Sequence, residues 1–274
     1  MRGMVLRRFV VVVAVCATAL LGTATASSAK NSPAPGSTCA GGPIAPGTYQ
    51  SLTVTGFCFM GSGVFDIKGG LTIAPNGGLK ATDCDSQVTV SGGIQVQSGG
   101  ILGLGASATG NGGGACPANT YDVVHGGLTA NQALAVIIHG TTIDGGFSVQ
   151  GGGGGTACDF SQPFVPFTNM EDTRINGGAL LSGLSTCWIG IIRVEINGGM
   201  SVTNNTLGDP DAIEIGNNVI RGGLACSGNH LDPAVPPDLI TPGAGNGAPT
   251  NFFDGSGPNP NSVTGHETGQ CAGL

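Results

Sequence analysis

The stretch Arg174-Ile-Asn-Gly-Gly-Ala179 recurs with only its end residues changed as Glu195-Ile-Asn-Gly-Gly-Met200. Looser copies of the same phrase, apolar residues around a glycine pair, occupy positions 65–71, 89–94, 142–147 and 219–224. The first glycines of the six pairs fall at 69, 92, 145, 177, 198 and 222, so the spacings between them are 23, 53, 32, 21 and 24. A repeat of this length is typical of a solenoid, whose units bury their apolar faces by stacking on one another.

Short runs that alternate apolar with small or polar residues lie between the phrases, as in Leu52-Thr-Val54 and Ile94-Gln-Val96. Alternation with period two indicates half-buried strands, and equivalent runs recur at nearly the same spacing as the phrases. The pattern predicts an all-β, right-handed parallel β-helix with three short strands and about 23 residues per coil. We expect the glycine pairs, with Asn and Ser, to supply the corners at φ > 0. A β-sandwich is the alternative, since it also has short strands and regular turns.

The N-terminal segment, positions 1–29, is typical of a signal peptide. Arg2, Arg7 and Arg8 precede an apolar run over 9–21, and small residues follow at 24–26. The apolar run is short for a membrane span, which is the alternative. We therefore expect residues 30–274 to be secreted without a membrane anchor as a single β-helix domain.

Three stretches interrupt the repeat and predict excursions from the coil, near 106–133, 151–172 and 231–259. The spacing of 53 fits two periods with an insertion, and the spacing of 32 fits one period with an insertion. A short helix is expected over 129–134, inside the first excursion. A last strand is expected over 261–265, after the third.

Charge and cysteine content limit the classes of partner. Without the three arginines of the signal peptide, 6 basic residues face 16 acidic ones. This balance argues against nucleic acid as a partner, because its phosphates require Lys and Arg.

Cys16 lies in the signal peptide, and the other eight cysteines predict up to four disulfides in an exported chain. Local solenoid contacts favour pairing of sequence neighbours among Cys39, Cys58, Cys84, Cys116, Cys158, Cys187, Cys226 and Cys271.

The C-terminal region carries a resemblance to known sequences. Asn261-Ser-Val-Thr-Gly265 and Gly269-Gln-Cys-Ala-Gly-Leu274, after the Asn-rich phrase at 218–229, are similar to the ends of secreted proteins from high-GC Gram-positive bacteria. Those proteins are right-handed parallel β-helices by pattern and generally lack an assigned activity. The resemblance implies export and fold, and it transfers no catalytic residue.

Stacking the phrases aligns two outward columns of residues. One column holds Asp66, Thr89, Thr142, Arg174, Glu195 and Val219; the other holds Lys68, Ser91, Asp144, Asn176, Asn197 and Arg221. If the protein is a polysaccharide lyase or glycoside hydrolase, its catalytic candidates are Arg174, Glu195 and Asp144 of these columns, with Arg193 nearby. A carboxylate or arginine on an outer sheet can move a proton. The alternative is an ion pair on a solvated face.

Other candidate sites are weaker. Asp209, Asp211 and Glu214 form the densest acidic cluster, which predicts either a Ca²⁺ site or a turn. No cofactor is expected, and the four histidines lack the spacing of metal ligands. One Trp and two Tyr offer few platforms for sugar stacking.

The sequence thus favours a secreted structural or surface-interaction protein, with an extracellular polysaccharide or cell-surface component as partner. A polysaccharide-cleaving enzyme and a polysaccharide-binding module are the alternatives.

Overall fold

The computed structural model describes residues 36–108, 116–158, 166–208, 213–232 and 261–274. The expected signal peptide, residues 1–29, lies outside these ranges. Every regular element in the described residues is a β-strand, and the strands pair in parallel. The chain is therefore a parallel β-helix, which confirms the predicted fold class.

Three long sheets and one short sheet run along the solenoid. Sheet I contains β1 Ser37–Cys39, β4 Leu52–Val54, β7 Leu71–Ile73, β10 Ile94–Val96, β13 Leu128–Asn131, β16 Phe147–Gln150, β19 Ala179–Ser182, β23 Met200–Thr203, β27 Leu224–Ser227 and β30 Glu267–Gly269. Sheet II contains β2 Gly42–Ile44, β5 Phe57–Met60, β8 Gly78–Ala81, β11 Ile101–Leu104, β14 Ala135–His139, β17 Thr168–Glu171, β21 Ile189–Ile192 and β25 Ile213–Gly216. Sheet III contains β3 Gly47–Tyr49, β6 Gly63–Ile67, β9 Ser86–Val90, β12 Asp122–Val124, β15 Thr141–Ile143, β18 Arg174–Ile175, β22 Glu195–Ile196, β26 Val219–Ile220 and β29 Ser262–Val263. Sheet IV contains β20 Ser185–Thr186, β24 Thr206–Leu207 and β28 His230–Leu231.

Each coil from β1 to β26 visits sheets I, II and III in turn, as the three-strand prediction requires. The last coils add a fourth strand, because sheet IV lies between sheets I and II in the chain order. Leu52 pairs with Leu71 and Leu71 with Ile94, so one coil spans 52–71 and the next spans 71–94. The period is thus close to the predicted one and varies with the length of the corners.

The core is a set of apolar columns inside the coils. Alternate residues of every long sheet point inward and are almost fully buried, as in the sheet III column Ile67, Val90, Val124, Ile143, Ile175, Ile196 and Ile220. Burial of a branched apolar side chain stabilises a fold by about 1.5–3 kcal/mol. Because each coil covers only the next, this stabilisation is distributed along the whole solenoid.

The glycine pairs make the corner between sheets III and I, but not for the expected reason. Their φ angles are not positive, whereas a Cβ on Gly145 would lie 2.6 Å from the backbone nitrogen of Gly127 in the preceding coil. Successive first glycines also bond directly, with the Gly177 N–H donating to the Gly145 carbonyl at 3.0 Å. These positions need glycine because stacked backbones approach too closely for any side chain.

Positive φ occurs instead at the two other corners. The corner after sheet I uses one such residue in successive coils: Asn76, Gly99, Gln132, Gly151, Gly183, Asn204 and Gly228. The corner between sheets II and III uses Gly140, Asp172, Arg193 and Asn217. Asn therefore occupies a corner at positive φ three times, as predicted. Asp172 and Arg193 have the same left-handed conformation, which Gly and Asn usually adopt.

The excursions are shorter than predicted, because a seventh copy of the phrase lies within the first. Val123-Val-His-Gly-Gly-Leu128 supplies Gly126, which divides the spacing of 53 into 34 and 19. The expected helix over 129–134 is wrong: its first residues belong to β13, where Leu128 and Ala130 are buried in register with β10. An apolar run of this length is ambiguous between helix and strand.

The first two excursions therefore occupy 105–121 and 151–167, and β17 already belongs to sheet II. Most of the expected third excursion lies outside the described residues, which stop at 232 and resume at 261. The predicted last strand is present as β29.

The eight cysteines form four disulfides between sequence neighbours: Cys39–Cys58, Cys84–Cys116, Cys158–Cys187 and Cys226–Cys271. This is the pairing that local solenoid contacts favour. Four disulfides fit an extracellular or otherwise oxidising environment.

Candidate functional site

Sheet III places the sequence-predicted column on its outer face. Asp66 is in register with Thr89, Thr142 with Arg174, and Arg174 with Glu195. Val123 of the seventh phrase lies between Thr89 and Thr142, where the sequence analysis had no residue. The column therefore exists as predicted, with one coil added.

The charges of this face form an exposed network, here called the sheet III network: His125, Asp144, Arg174, Asn176, Glu195, Asn197 and Arg221. Arg174 Nη1 lies 3.9 Å from Glu195 Oε2, and Arg221 bonds to the other oxygen of Glu195. About half of each arginine side chain is exposed. Such pairs lie in water and are weak.

Asp144 belongs to the same network. Its carboxylate lies 2.8 Å from His125 Nδ1 and accepts a hydrogen bond of 2.9 Å from the Asn176 amide. The hydrogen bond to His125, followed by that from Asn176, lowers the pKa of Asp144 below its ordinary value. Asp144 is therefore an anion at neutral pH and already has two partners.

Arg193 points elsewhere, toward the corner between sheets II and III. Its Nε lies 2.8 Å from Asp172 Oδ1, and its Nη2 lies 2.9 Å from Glu171 Oε2. The Glu171 side chain is fully buried. Burial acts to lower the pKa of Arg193, but the bonds to Asp172 and Glu171 outweigh it and raise that pKa. This buried pairing separates Arg193 from the other three sequence candidates.

Two further polar residues continue from Glu171 along sheet II. The Asn169 Nδ2 donates to Glu171 Oε1 at 2.7 Å and lies 3.1 Å from His139 Nε2. We call His139, Asn169, Glu171, Asp172 and Arg193 the corner cluster. Burial lowers the pKa of His139 below its ordinary value, against the attraction of Glu171 and Asp172. The imidazole is therefore neutral at pH 7.

The hydrogen bonds fix the orientation of these groups. Glu171, paired with Arg193, can only accept hydrogen bonds, so the Asn169 amide must turn its NH₂ toward Glu171. The second N–H of that amide then faces His139 Nε2, which must act as acceptor. This assigns the imidazole proton to Nδ1.

The corner cluster borders a groove on the outer face of sheet II, with a volume of about 800 Å³. We call it the sheet II groove. Its floor follows the outward residues of five neighbouring strands: Phe59, Lys80, Gly103, Ile137 and Asn169. The disulfide Cys84–Cys116 and the start of the first excursion form one wall. His139 and Phe167 lie at the Asn169 end.

Phenylalanine supplies the aromatic surface that the sequence analysis sought among Trp and Tyr. Phe57 and Phe59 are 60% and 43% exposed, and both line the sheet II groove. The Phe57 ring lies over Gly78, where a Cβ would come within 2.8 Å of it. At the other end Phe167 and Trp188 pack with ring centroids 5.6 Å apart.

None of the remaining sequence candidates that the structure describes lines this groove. Asp209 and Asp211 of the suggested Ca²⁺ site lie outside the described residues, and Glu214 is buried on β25. In the described ranges, no group of three or more His, Cys, Asp or Glu side chains has the arrangement of a metal site. No helix in the described part of the chain is both long and apolar enough to span a membrane.

The sequence analysis missed the corner cluster, although a signal for it was present. His139 and Glu171 each precede the first glycine of a pair by six residues, and Asp172 and Arg193 each precede one by five. Counting back from the glycines therefore predicts that both pairs of residues stack. The two columns of the sequence analysis contain only residues next to the glycines, and those residues lie on sheet III.

No protein-family model, curated protein or solved structure matches this chain at a significant level. The fold and the groove define a disulfide-closed parallel β-helix with an aromatic groove on one face. Function is therefore argued from that geometry.

Proposed function

We propose that this chain is a secreted surface-interaction protein that binds an extracellular partner in the sheet II groove. One observation carries the proposal: two largely exposed phenylalanines border a groove whose far end is a fixed polar cluster. Exposed aromatic side chains that line a concave surface with a few oriented polar groups are typical of ligand sites. The four disulfides and the resemblance at the C-terminus support export.

A binding role uses the charges as the structure arranges them. Arg193 pairs with both Glu171 and Asp172, and Glu195 bonds to Arg174 and Arg221. For a lyase or hydrolase, the alternative, these groups would have to exchange protein partners for substrate. The sheet II groove needs no such exchange, because its phenylalanine rings already face the outside.

The test is cosedimentation of the oxidised protein with envelopes of high-GC Gram-positive bacteria and with insoluble polysaccharides. We expect binding that the double change Phe57→Ser and Phe59→Ser reduces about tenfold or more. The matched control is Val64→Ser with Val219→Ser, which removes two exposed apolar side chains from sheet III. Equal loss in both double variants, or no binding by folded protein, would refute the proposal.

Release of reducing or unsaturated sugar ends, measured on the same materials, distinguishes the enzyme alternative. Release that disappears in Arg174→Ala or Glu195→Ala would move the site to sheet III and overturn the groove as the functional surface.

A further inference from the structure

We infer that the ligand of the sheet II groove is an uncharged saccharide chain, whose hydroxyl groups bond to Asn169 and His139. This inference rests on the proposed function and adds the chemical class of the partner. It follows from the shape of the groove, its charge, and one polar atom that lacks a hydrogen bond.

The groove has the shape for a chain rather than a compact molecule. Its floor crosses five parallel strands, which at about 4.8 Å per strand gives a length of roughly 19 Å along the solenoid. Gly103 lies in register between Lys80 and Ile137, and the Thr82 methyl covers it, 3.2 Å from where a Cβ would be, so the middle of the floor is low and has no long side chain. The volume of about 800 Å³ falls within the range of ligand pockets.

The charge of the groove favours an uncharged ligand. Lys80 and Asp83 are the charged residues among those that line it, and their formal charges cancel. His139 carries no charge at neutral pH. Beneath the groove, Arg193 pairs with the two carboxylates of Glu171 and Asp172, so these three residues carry a net negative charge that also disfavours an anionic ligand. An acidic polysaccharide would meet a single lysine on a chain whose overall charge is negative.

The polar end of the groove contains a buried acceptor without a partner. Asn169 is only 3% exposed, and its Oδ1 accepts no hydrogen bond from the described residues. The amide cannot be turned over to correct this, because its NH₂ is held by Glu171 and His139. A buried acceptor left unpaired loses its hydration without compensation and destabilises the fold, which argues for a ligand donor.

The Trp188 ring lies beside this oxygen. The Cα of Gly190 lies under both groups: a Cβ there would be 2.4 Å from the Trp188 ring and 2.5 Å from Asn169 Oδ1. A ligand hydroxyl that bonds to Oδ1 would therefore lie close to the Trp188 ring. Trp188 is the one tryptophan of the chain, so its fluorescence reports directly on that contact.

Sugars combine the features that this groove requires. Their ring C–H groups pack on aromatic faces, here Phe57, Phe59 and Phe167, and each hydroxyl both donates and accepts. One hydroxyl of the chain can donate to Asn169 Oδ1, and another can accept the Nδ1–H of His139. An aliphatic ligand would leave both polar groups unpaired.

The experiment is a fluorescence titration of the oxidised full chain with cello-, manno- and chito-oligosaccharides, and with oligogalacturonate as the anionic comparison. We expect a saturable change in Trp188 emission with at least one neutral series and none with oligogalacturonate. Phe59→Ser should weaken the affinity about tenfold. Val64→Ser, an exposed apolar residue of sheet III, should leave it unchanged.

Asn169→Leu tests the polar end. It has a similar volume and removes the acceptor, so affinity should fall while thermal unfolding shows that the chain still folds. Should this variant fail to fold, Phe59→Ser still decides, because the Phe59 ring lies on the surface.

The possible outcomes separate the two proposals. Binding restricted to oligogalacturonate, or neutral binding that neither groove variant weakens, would overturn the inference. Failure of all saccharides to bind, with cosedimentation on envelopes intact, would overturn the saccharide and leave the proposed function standing. Loss of both would remove the proposed function as well.

Discussion

The sheet III network and the corner cluster are built from the same residue types, His, Asp, Asn, Glu and Arg, yet they occupy opposite environments. The Arg174 and Glu195 side chains are 52% and 33% exposed, whereas those of Arg193 and Glu171 are 14% and 0% exposed. Water screens the first pair and is excluded from the second. The same Arg–Glu pairing therefore contributes little to stability on sheet III, whereas at the corner the loss of one partner would leave a buried charge unpaired.

The difference also explains why the clusters suit different roles. Side chains of the sheet III network bond to one another along a flat face and are partly exposed to solvent. Those of the corner cluster are oriented by burial, from Arg193 through Glu171 to Asn169 and His139. A fixed orientation of polar groups is what a binding site requires.

The largest effect is expected from Arg193→Met. This change leaves Glu171 buried without its cation, which costs about 3–5 kcal/mol. For a solenoid of this size we expect the midpoint of thermal unfolding to fall by about 10 °C. Circular dichroism at pH 7, with disulfides intact, measures the shift.

The control is Arg221→Met on sheet III, where the same substitution removes a half-exposed partner of Glu195. It should change stability by no more than about 0.5 kcal/mol. Adding Glu171→Gln to Arg193→Met should restore part of the loss, since the buried charge is then gone. Equal shifts for the two arginines would contradict the comparison.

A third carboxylate extends the comparison, because it is buried and no Lys or Arg of the described residues pairs with it. Asp122 is fully buried on β12, and its carboxylate accepts the Val88 N–H at 2.6 Å. Burial raises the pKa of Asp122 to about 6, although the hydrogen bonds from Val88 and Thr120 oppose the rise. The folded state therefore binds a proton more tightly than the unfolded state does.

Asp122→Asn should remove this dependence on pH. In the native protein the stabilisation by the proton is complete below about pH 4 and disappears as the pH rises through about 6. At pH 7.5 the variant should be more stable by roughly 2–3 kcal/mol, since one pKa unit corresponds to 1.36 kcal/mol. At pH 4 the two curves should meet.

Asn is the natural replacement, because Asn218 occupies the equivalent inward position four residues before its glycine pair. Its Oδ1 accepts the Val194 N–H at 2.8 Å, as Asp122 does from Val88. Urea unfolding at a series of pH values measures the effect. A variant less stable than the native chain at pH 7.5 would show that the Asp122 charge is needed.

The sequence predicted the coil and sheet III because the glycine pair anchors the residues beside it. Ile175 and Ile196 stack as expected, and so do Arg174 and Glu195. The reason for the glycines was wrong, since contact between backbones in neighbouring coils cannot be seen in one repeat. The positive-φ residues between sheets II and III lie five residues before a pair, and nothing in Asp172 or Arg193 alone indicates that conformation.

The sheet II groove was harder to predict. Insertions change the distance between the glycine pairs and sheet II, so Phe59, Lys80 and Ile137 show no common spacing in the chain. The side-chain direction of Arg193 is likewise a property of the folded corner. From the sequence alone, Arg193 was grouped with Glu195, which is two residues away.

The smallest effect is expected within the sheet III network itself, from a double-mutant cycle on Arg174→Ala and Glu195→Ala. The two charges are 3.9 Å apart and partly exposed, and Glu195 keeps Arg221 as a second partner. We expect a coupling energy of no more than about 0.5 kcal/mol at low salt, and less at high salt because mobile ions screen exposed charges. Urea unfolding of the four proteins gives the coupling. A value above about 1.5 kcal/mol that persists in salt would mean that sheet III organises its charges as rigidly as the corner cluster does. The flat face would then have an equal claim to be the functional surface, and Arg174 and Glu195 would return as the first candidates for catalysis.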